Sequence, residues 1–294
     1  MRRWLLRYLG APAPPEVGER GNGDLRREMR RLEVRARQAM DAGLSGQYRS
    51  AFRGRGLEFE EVREYRWGDD IRTIDWNVTA RSGELHVKLF REERDLTVLL
   101  LVDLSASTRF GSGALTVHDT VAEVASLFSL AAARRDRVGA VLFDGEVRRI
   151  IPPRRGWRHG LSVAREVLAA EPAGRGTAFA EALRAAGRLL HRRGVVVAVV
   201  DAACPMPERD LRAVSARHEV VVIRVSDPLL EQGPPVPLPV RSAEGRGRGW
   251  LAGPPHRPQV GVPGGVDVLE VRTDGRYLPA VQELLRRRER RRAV

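Results

Sequence analysis

An almost unbroken apolar run, followed at once by an acidic residue, constrains this chain most. Leu96–Val102 reads LTVLLLV, and the next residue is Asp103. A continuous apolar run of this length predicts a central strand covered on both faces. Val195–Val200 (VVVAVV) has the same character and is followed by Asp201. Two such strands need helices on both sides of one sheet, which indicates an α/β fold.

From residue 95 onward, predicted strands and predicted helices alternate along the chain. The further strands are Val138–Phe143, Glu146–Ile151, Glu219–Val225 and Val266–Val271. Residues with helical spacing fill 116–134, 157–169, 179–192, 207–216 and the segment from 276 onward. This alternation predicts a doubly wound, mostly parallel sheet.

The chain divides into three predicted regions. Residues 1–45 form a basic lead-in that ends in a helix, and residues 46–94 form a small β appendage with two short strands. Residues 95–294 form the α/β domain. Within it, residues 232–265 are a Pro- and Gly-rich excursion that is too long for an ordinary connection.

The charge and cysteine content bound the cellular setting and the partners. A single cysteine, Cys204, excludes an internal disulfide framework, and no stretch reaches the roughly 20 apolar residues of a membrane helix. We therefore expect a cytoplasmic protein. Residues 1–56 carry 13 arginines against 6 acidic residues, and residues 272–294 carry 8 against 3, while the middle is nearly neutral. A solvated terminal helix explains the last cluster without nucleic acid, which we do not expect as a partner.

Polar residues follow three predicted strands or open the next helix, and together they suit a metal ion. The first apolar strand is followed by Asp103, Ser105 and Ser107, and the strand VVVAVV is followed by Asp201. Thr177 lies in a glycine-containing loop just before a predicted helix. Ligands of open α/β sheets bind beyond the carboxyl ends of the strands. Carboxylate and hydroxyl oxygens are what Mg²⁺ prefers, with Mn²⁺ or Ca²⁺ as alternatives.

The order Asp-x-Ser-x-Ser, then Thr, then Asp resembles the metal-ion-dependent adhesion site of von Willebrand factor A and integrin I domains. The resemblance implies that Asp103, Ser105, Ser107, Thr177 and Asp201 ligate Mg²⁺ directly or through water. It also implies that an acidic group of a protein partner completes the coordination.

The segment Gly54–Trp76 (GRGLEFEEVREYRWGDDIRTIDW), with Thr79–Arg81, resembles the signature of a bacterial family of unknown function. Members of that family have A-like domains and are commonly encoded beside MoxR-type AAA+ ATPases, which are the implied partners. The block itself admits three interpretations. The first is a salt-bridged appendage that packs on the sheet through its large apolar residues, which are Phe59, Tyr65, Trp67, Ile74 and Trp76. The second is a docking surface for the ATPase, and the third is a catalytic site.

Two main functions remain open, and we favour a binding module over an enzyme. The module would work with a MoxR-type ATPase in protein maturation or remodelling, and it would grip an acidic residue of a client. The alternatives are a metal-dependent hydrolase or phosphatase and nucleic-acid binding through the Arg-rich termini. His118, which we expect to be exposed on a helix, is the best general-base candidate, and Cys204 has no evident histidine partner. The sequence does not indicate an oligomeric state.

Overall fold

The computed structural model describes residues 45–52, 57–92, 96–241, 248–254, 261–275 and 277–293. It also describes positions 27, 29–31, 33, 34, 36, 38 and 243. The described chain forms two compact units. Unit 1 takes the described residues within Met1–Phe52 and Leu96–Val294, and unit 2 takes those within Arg53–Asp95.

Two antiparallel strands, β1 (Leu57–Glu64) and β2 (His86–Glu92), form the sheet of unit 2. A short 3-10 turn (Ile71–Thr73) and helix α2 (Trp76–Ser82) lie between them in the chain. The Asp75 carboxylate accepts the amides of Asn77 and Val78, which caps α2. The two strands agree with the prediction, while α2 was not predicted.

The expected packing of the aromatic residues of unit 2 is wrong for both tryptophans. Trp67 is 99% exposed and Trp76 is 67% exposed, and Ile71 between them is also exposed. The salt-bridged appendage that we considered does contain an ion pair, since Arg63 pairs with Asp69 at 2.7 Å.

A six-stranded sheet in the order β10-β7-β6-β3-β4-β5 forms the centre of unit 1, and only β5 is antiparallel to its neighbour. The strands are β3 (Thr97–Asp103), β4 (Arg137–Phe143), β5 (Val147–Arg155), β6 (Val195–Asp201), β7 (Glu219–Ser226) and β10 (Val266–Arg272). Every residue of β6 is buried, as its continuous apolar run predicts.

Helices cover both faces of this sheet. They are α1 (Ser45–Phe52), α3 (Val117–Ala132), α4 (Trp157–Ala169), α5 (Phe179–Leu189), α6 (Glu208–Ser215), α7 (Pro228–Gln232) and α8 (Tyr277–Ala293). Helices α1, α3, α4 and α8 share one apolar core with the sheet, and α5 and α6 share the other. A mostly parallel sheet between two helical layers is compatible with the predicted doubly wound fold.

The order in which strands are added to the sheet reverses at β3, and this reversal positions the site. From β3 it runs outward through β4 to β5, and it then returns to β6 on the other side of β3 before continuing to β7 and β10. The carboxyl ends of β3 and β6 therefore flank a topological switch point. Crevices at such points are where open α/β sheets bind ligands.

The excursion predicted at 232–265 contains a described hairpin, β8 (Leu238–Arg241) and β9 (Arg248–Leu251). The helix predicted before residue 45 is helical at each position that is described there, and its predicted cap Asp24 lies outside the described residues.

The terminal arginine cluster is only partly the solvated helix end that we expected. Arg288 is buried, pairs with Asp267 and with Glu219, and lies 4.8 Å from the centroid of the Phe52 ring. Asp267 also pairs with Arg291 at 3.0 Å. Part of the C-terminal positive charge therefore holds α8 on the sheet.

Candidate metal centre

Asp103 and Asp201 meet at the switch point because β3 and β6 are parallel neighbours. Asp103 is the last residue of β3 and Asp201 is the last residue of β6. The amide of Asp201 donates to Oδ2 of Asp103 at 3.3 Å. Both residues are buried, with 0% and 6% exposure. The structure thus brings together the two carboxylates that the sequence places at strand ends.

The turn after β3 folds back so that Ser105 and Ser107 lie beside the Asp103 carboxylate. The amide of Ser105 donates to Oδ1 of Asp103 at 2.8 Å, and the hydroxyl oxygens of Ser105 and Ser107 are 3.1 Å apart. A 3-10 turn, Ala106–Arg109, follows directly. The Thr108 hydroxyl donates to the carbonyl of Ser105 at 2.7 Å and closes this turn. Alternate positions of the D-L-S-A-S string therefore offer oxygen atoms at one place.

Thr177 lies on a loop that the backbone fixes next to this turn. The amide of Ala106 donates to the carbonyl of Gly174 at 3.0 Å, and the amide of Ala178 donates to the carbonyl of Asp144 at 2.5 Å. Thr177 itself is half-buried. Within the described residues no hydrogen bond links its hydroxyl to Asp103 or Asp201, so it is adjacent in the fold but not joined to the carboxylates.

The electrostatics of the centre are those of an uncompensated buried charge. Burial raises the pKa of the Asp103 carboxyl to about 6, and the nearby Asp201 charge raises it further, against the hydrogen bonds from Ser105 and the Asp201 amide. Among the residues that the structure describes, no lysine or arginine forms an ion pair with either carboxylate. A buried carboxylate pair without a counter-charge is costly unless a cation or a proton neutralises it.

The donor set fits a hard divalent cation. All its side-chain donors are oxygen atoms, from two carboxylates and two serine hydroxyls, which suits Mg²⁺ and does not favour a soft metal. The described residues contain no group of three or more His, Cys, Asp or Glu side chains arranged to hold a metal. Any ion here would therefore depend on hydroxyl and water oxygens in addition to Asp103 and Asp201.

Two further buried carboxylates, Asp144 and Asp227, follow strands of the same sheet, and neither is among the predicted metal ligands. Asp144 follows β4 and pairs with Arg148 at 2.7 Å. A Cβ atom at Gly174 would overlap the Asp144 carboxyl, so the loop that carries Thr177 passes close to this side chain and a larger residue at 174 would force the carboxyl to shift. The signal was present, since Asp144 ends an apolar run, but the following glycine favoured a simple hairpin turn.

Asp227 follows β7 and anchors the segment beyond the serine turn. Its carboxylate accepts the amide and the hydroxyl of Ser112, at 2.8 and 2.5 Å, and the hydroxyl of Thr273 at 3.0 Å. It also caps α7 through the amide of Leu229 at 2.9 Å. Asp227 is therefore satisfied within the fold and serves to hold the rim of the crevice.

The structure corrects one expectation about catalysis. His118, expected to be exposed, is buried as the second residue of α3 with 4% exposure. Cys204, three residues after Asp201, is buried as well, and its thiol lies 3.4 Å from the carbonyl of Pro205.

Comparisons with known proteins were made by family, by sequence and by structure. A family model described as "Protein of unknown function DUF58" matches residues 61–240. Uncharacterized protein Rv1480 of Mycobacterium tuberculosis and uncharacterized protein Mb1516 of Mycobacterium bovis are each 36% identical over 227 residues, which is 74% of this chain and 72% of each relative. The solved structure of conserved hypothetical protein BatB from Bacteroides thetaiotaomicron is 15% identical. Its match covers 66% of this chain and 99% of that chain, with a TM-score of 0.48.

A second solved structure is titled an aerotolerance-related membrane protein from Bacteroides fragilis. It is 14% identical and covers 67% of this chain and 99% of that chain, with a TM-score of 0.45. In this chain, no helix within the described ranges is long and apolar enough to cross a membrane.

Proposed function

The chain belongs to the DUF58 family of proteins of unknown function, and we propose that it is a Mg²⁺-dependent protein-interaction module. One observation carries the proposal. Asp103 and Asp201, buried at adjacent strand ends, have no cationic partner among the described residues and lie beside the Ser105–Ser107 hydroxyl pair. A divalent cation supplies the missing counter-charge.

The residues that would hold the ion are Asp103, Ser105, Ser107, Thr177 and Asp201, directly or through water. Bound there, the ion would offer a coordination position to an acidic side chain of a partner. Asp103 and Asp201 would supply negative charge, and the serine turn would keep its hydroxyl oxygens aimed at the same place through the Ser105 amide contact. The order of these residues resembles the adhesion site of von Willebrand factor A domains, and we propose that the six-stranded unit is such a domain.

The partner that we propose is a MoxR-type AAA+ ATPase, with a client protein whose acidic residue reaches the ion. The support is the resemblance of the Gly54–Trp76 block to a family commonly encoded beside such ATPases. The module would act in the cytoplasm in protein maturation or remodelling. The described residues place no histidine or cysteine together with the two carboxylates in a metal-holding group, which favours binding over hydrolysis.

Calorimetric titration of Mg²⁺ and of Mn²⁺ into the full chain tests the metal site. We expect one saturable site in the wild-type protein and none in Asp103→Asn, since Asn keeps the shape but removes the charge. Asp210→Asn is the matched control, because its carboxylate pairs with Arg184 on the surface, and it should bind like wild type. Equal binding by wild type and Asp103→Asn would reject the site.

A pull-down with the purified MoxR-type ATPase from the same genome tests the partner. We expect capture in Mg²⁺, and a loss of at least about tenfold in EDTA or with Asp103→Asn, corresponding to about 1.4 kcal/mol of binding free energy. If calorimetry detects the metal but capture ignores EDTA, the ion site stands and the proposed role in recognition falls.

A further inference from the structure

Six arginines gather at the corner of unit 1 where β4 begins and β5 ends. They lie in the α3–β4 connection, in the two strands and in the first turn of α4, and all are exposed: Arg134, Arg135, Arg137, Arg154, Arg155 and Arg158. We name this group the corner patch. Because residues 57–271 are nearly neutral in sum, counting charge along the sequence does not reveal it.

Backbone pairing and one side-chain contact bring these arginines together. Arg137 lies directly opposite Arg155 in the antiparallel β4–β5 ladder, and Arg154 lies opposite Val138. Because neighbouring residues of a strand face opposite sides, Arg137 and Arg155 face one side of the sheet and Arg154 the other, so the corner patch wraps around this end of the two strands. The His159 ring nitrogen Nε2 lies 3.0 Å from the carbonyl of Val138, which holds the first turn of α4, and with it Arg158, against the start of β4. The corner patch is thus fixed by the sheet and is not a chance approach of flexible tails.

The positive charge of the corner patch is poorly compensated. Arg134, Arg135, Arg137, Arg154 and Arg158 form no ion pair with any acidic side chain among the described residues. Arg149 on the same strand, by contrast, pairs with Glu166 at 3.1 Å.

We propose that the corner patch binds the phosphate backbone of double-stranded nucleic acid without reading its sequence. Arginine is suited to phosphates because its planar guanidinium donates two parallel hydrogen bonds. Single-stranded nucleic acid is bound on exposed aromatic rings, and the six residues of the patch include none, while the adjoining Trp157 is half-buried. A membrane surface is favoured by exposed apolar anchors, and Ile150 is the single exposed large apolar residue within β4, β5 and the first turn of α4.

This inference is independent of the proposed metal centre. The corner patch lies at the amino-terminal end of β4, and Asp103 lies at the carboxyl end of the neighbouring parallel strand β3. The two sites are therefore at opposite ends of the strands. Phosphate binding at the corner should therefore persist in EDTA.

Fluorescence anisotropy with a labelled 20-base-pair DNA duplex, at several NaCl concentrations and in EDTA, tests the proposal. The variant is Arg137→Gln/Arg154→Gln/Arg158→Gln. The matched control, Arg184→Gln/Arg188→Gln/Arg212→Gln, removes the same charge from α5 and α6, outside the corner patch. Both have equal net charge, so a difference between them reports the location of binding and not the total charge.

We expect the corner variant to bind the duplex at least about tenfold more weakly than the control at low salt. We also expect its slope of log Kd against log salt to fall by about 1 for each lost phosphate contact, and so by two to three in total. Its melting temperature should stay close to that of wild type, because the three replaced side chains are exposed.

Three results would overturn the proposal. One is equal loss of binding in the two variants, and another is no duplex binding by wild type at 50 mM NaCl. The third is binding of wild type to vesicles rich in phosphatidylglycerol but not to duplex, which would assign the corner patch to a membrane surface.

Discussion

The Asp103 carboxylate is buried, and burial raises its pKa to about 6, so it is mostly ionised at neutral pH and this single residue decides the chemistry of the switch point. Its two oxygen atoms each accept one amide, from Ser105 and from Asp201, and neither meets a described cation. The sequence could place Asp103 at a strand end, because LTVLLLV is unmistakably a buried strand. It could not give the depth of burial or the contact with Asp201, since both depend on which strand lies next to β3.

The raised pKa of Asp103 predicts how stability changes with pH when metal is absent. Asp titrates near 3.8 in the unfolded chain and near 6 in the fold, so between these values the folded state binds more protons. The contribution of Asp103 to the free energy of unfolding is therefore fully present below about pH 4 and is lost as the pH rises through 6, by about 3 kcal/mol at most. Urea unfolding in EDTA at pH 4.5 and 7.5 measures this fall for wild type against Asp103→Asn.

Asp103→Asn removes the titrating group and keeps its shape, so all other ionisations cancel in the comparison. We expect the variant to gain on wild type at pH 7.5 relative to pH 4.5. Parallel pH profiles for the two proteins would show that Asp103 titrates normally and that no uncompensated charge is stored at the centre.

At the scale of elements, the strands of unit 1 follow from their residues, while several connections do not. Each predicted strand of the main sheet is present, and its ends agree within one or two residues, because an apolar run buried on both faces is a clear strand signal. The exception is β5, which continues to Arg155. Helix α2 was missed because its apolar content is low, although Asp75 is a good cap. The β8–β9 hairpin was missed because proline and glycine obscure the period-2 pattern.

The packing of α3 against α4 depends on a glycine, which a matched pair of variants tests. A Cβ at Gly160 would overlap Ala133 and lie 3.2 Å from the carbonyl of Ser129, while a Cβ at Gly187 in α5 would meet nothing within 4 Å. We expect Gly160→Ala to destabilise the protein by about 1–3 kcal/mol, because α3 and α4 must separate. Gly187→Ala should stabilise it by about 0.5–1 kcal/mol through helix propensity alone.

Urea unfolding of both variants at pH 7.5 measures the two free energies under identical conditions. Because the substitution is the same in each, the difference between them isolates the helix contact from the backbone effect. A gain in stability with Gly160→Ala would mean that the α3–α4 contact, including the Ser129 hydroxyl bond to the Gly160 carbonyl at 2.9 Å, is looser than the structure describes.

At the scale of the whole molecule, the two units differ in how much of each is buried: unit 1 is built around apolar cores, and unit 2 is mostly exposed. Among the described residues both apolar cores lie in unit 1, and its pattern could be predicted from hydrophobic runs. Unit 2 mixes charges and aromatics, and its sequence does not say whether an aromatic ring is covered or exposed. Trp67 and Trp76 prove to be exposed, which favours the docking interpretation of this block over the packed one.

Removal of both exposed rings tests whether unit 2 contacts the partner. We expect Trp67→Ser/Trp76→Ser to weaken capture of the purified MoxR-type ATPase by at least about tenfold, since exposed aromatic residues dominate binding energy when a partner buries them. The melting temperature should stay within about 2 °C of wild type, because neither ring contributes to a core. Trp250→Ser is the control, since this ring on β9 of unit 1 is 71% exposed and should leave capture unchanged. Undiminished capture by the double variant would leave the metal centre as the place of contact. An equal loss with Trp250→Ser would indicate that exposed indole rings bind the ATPase nonspecifically.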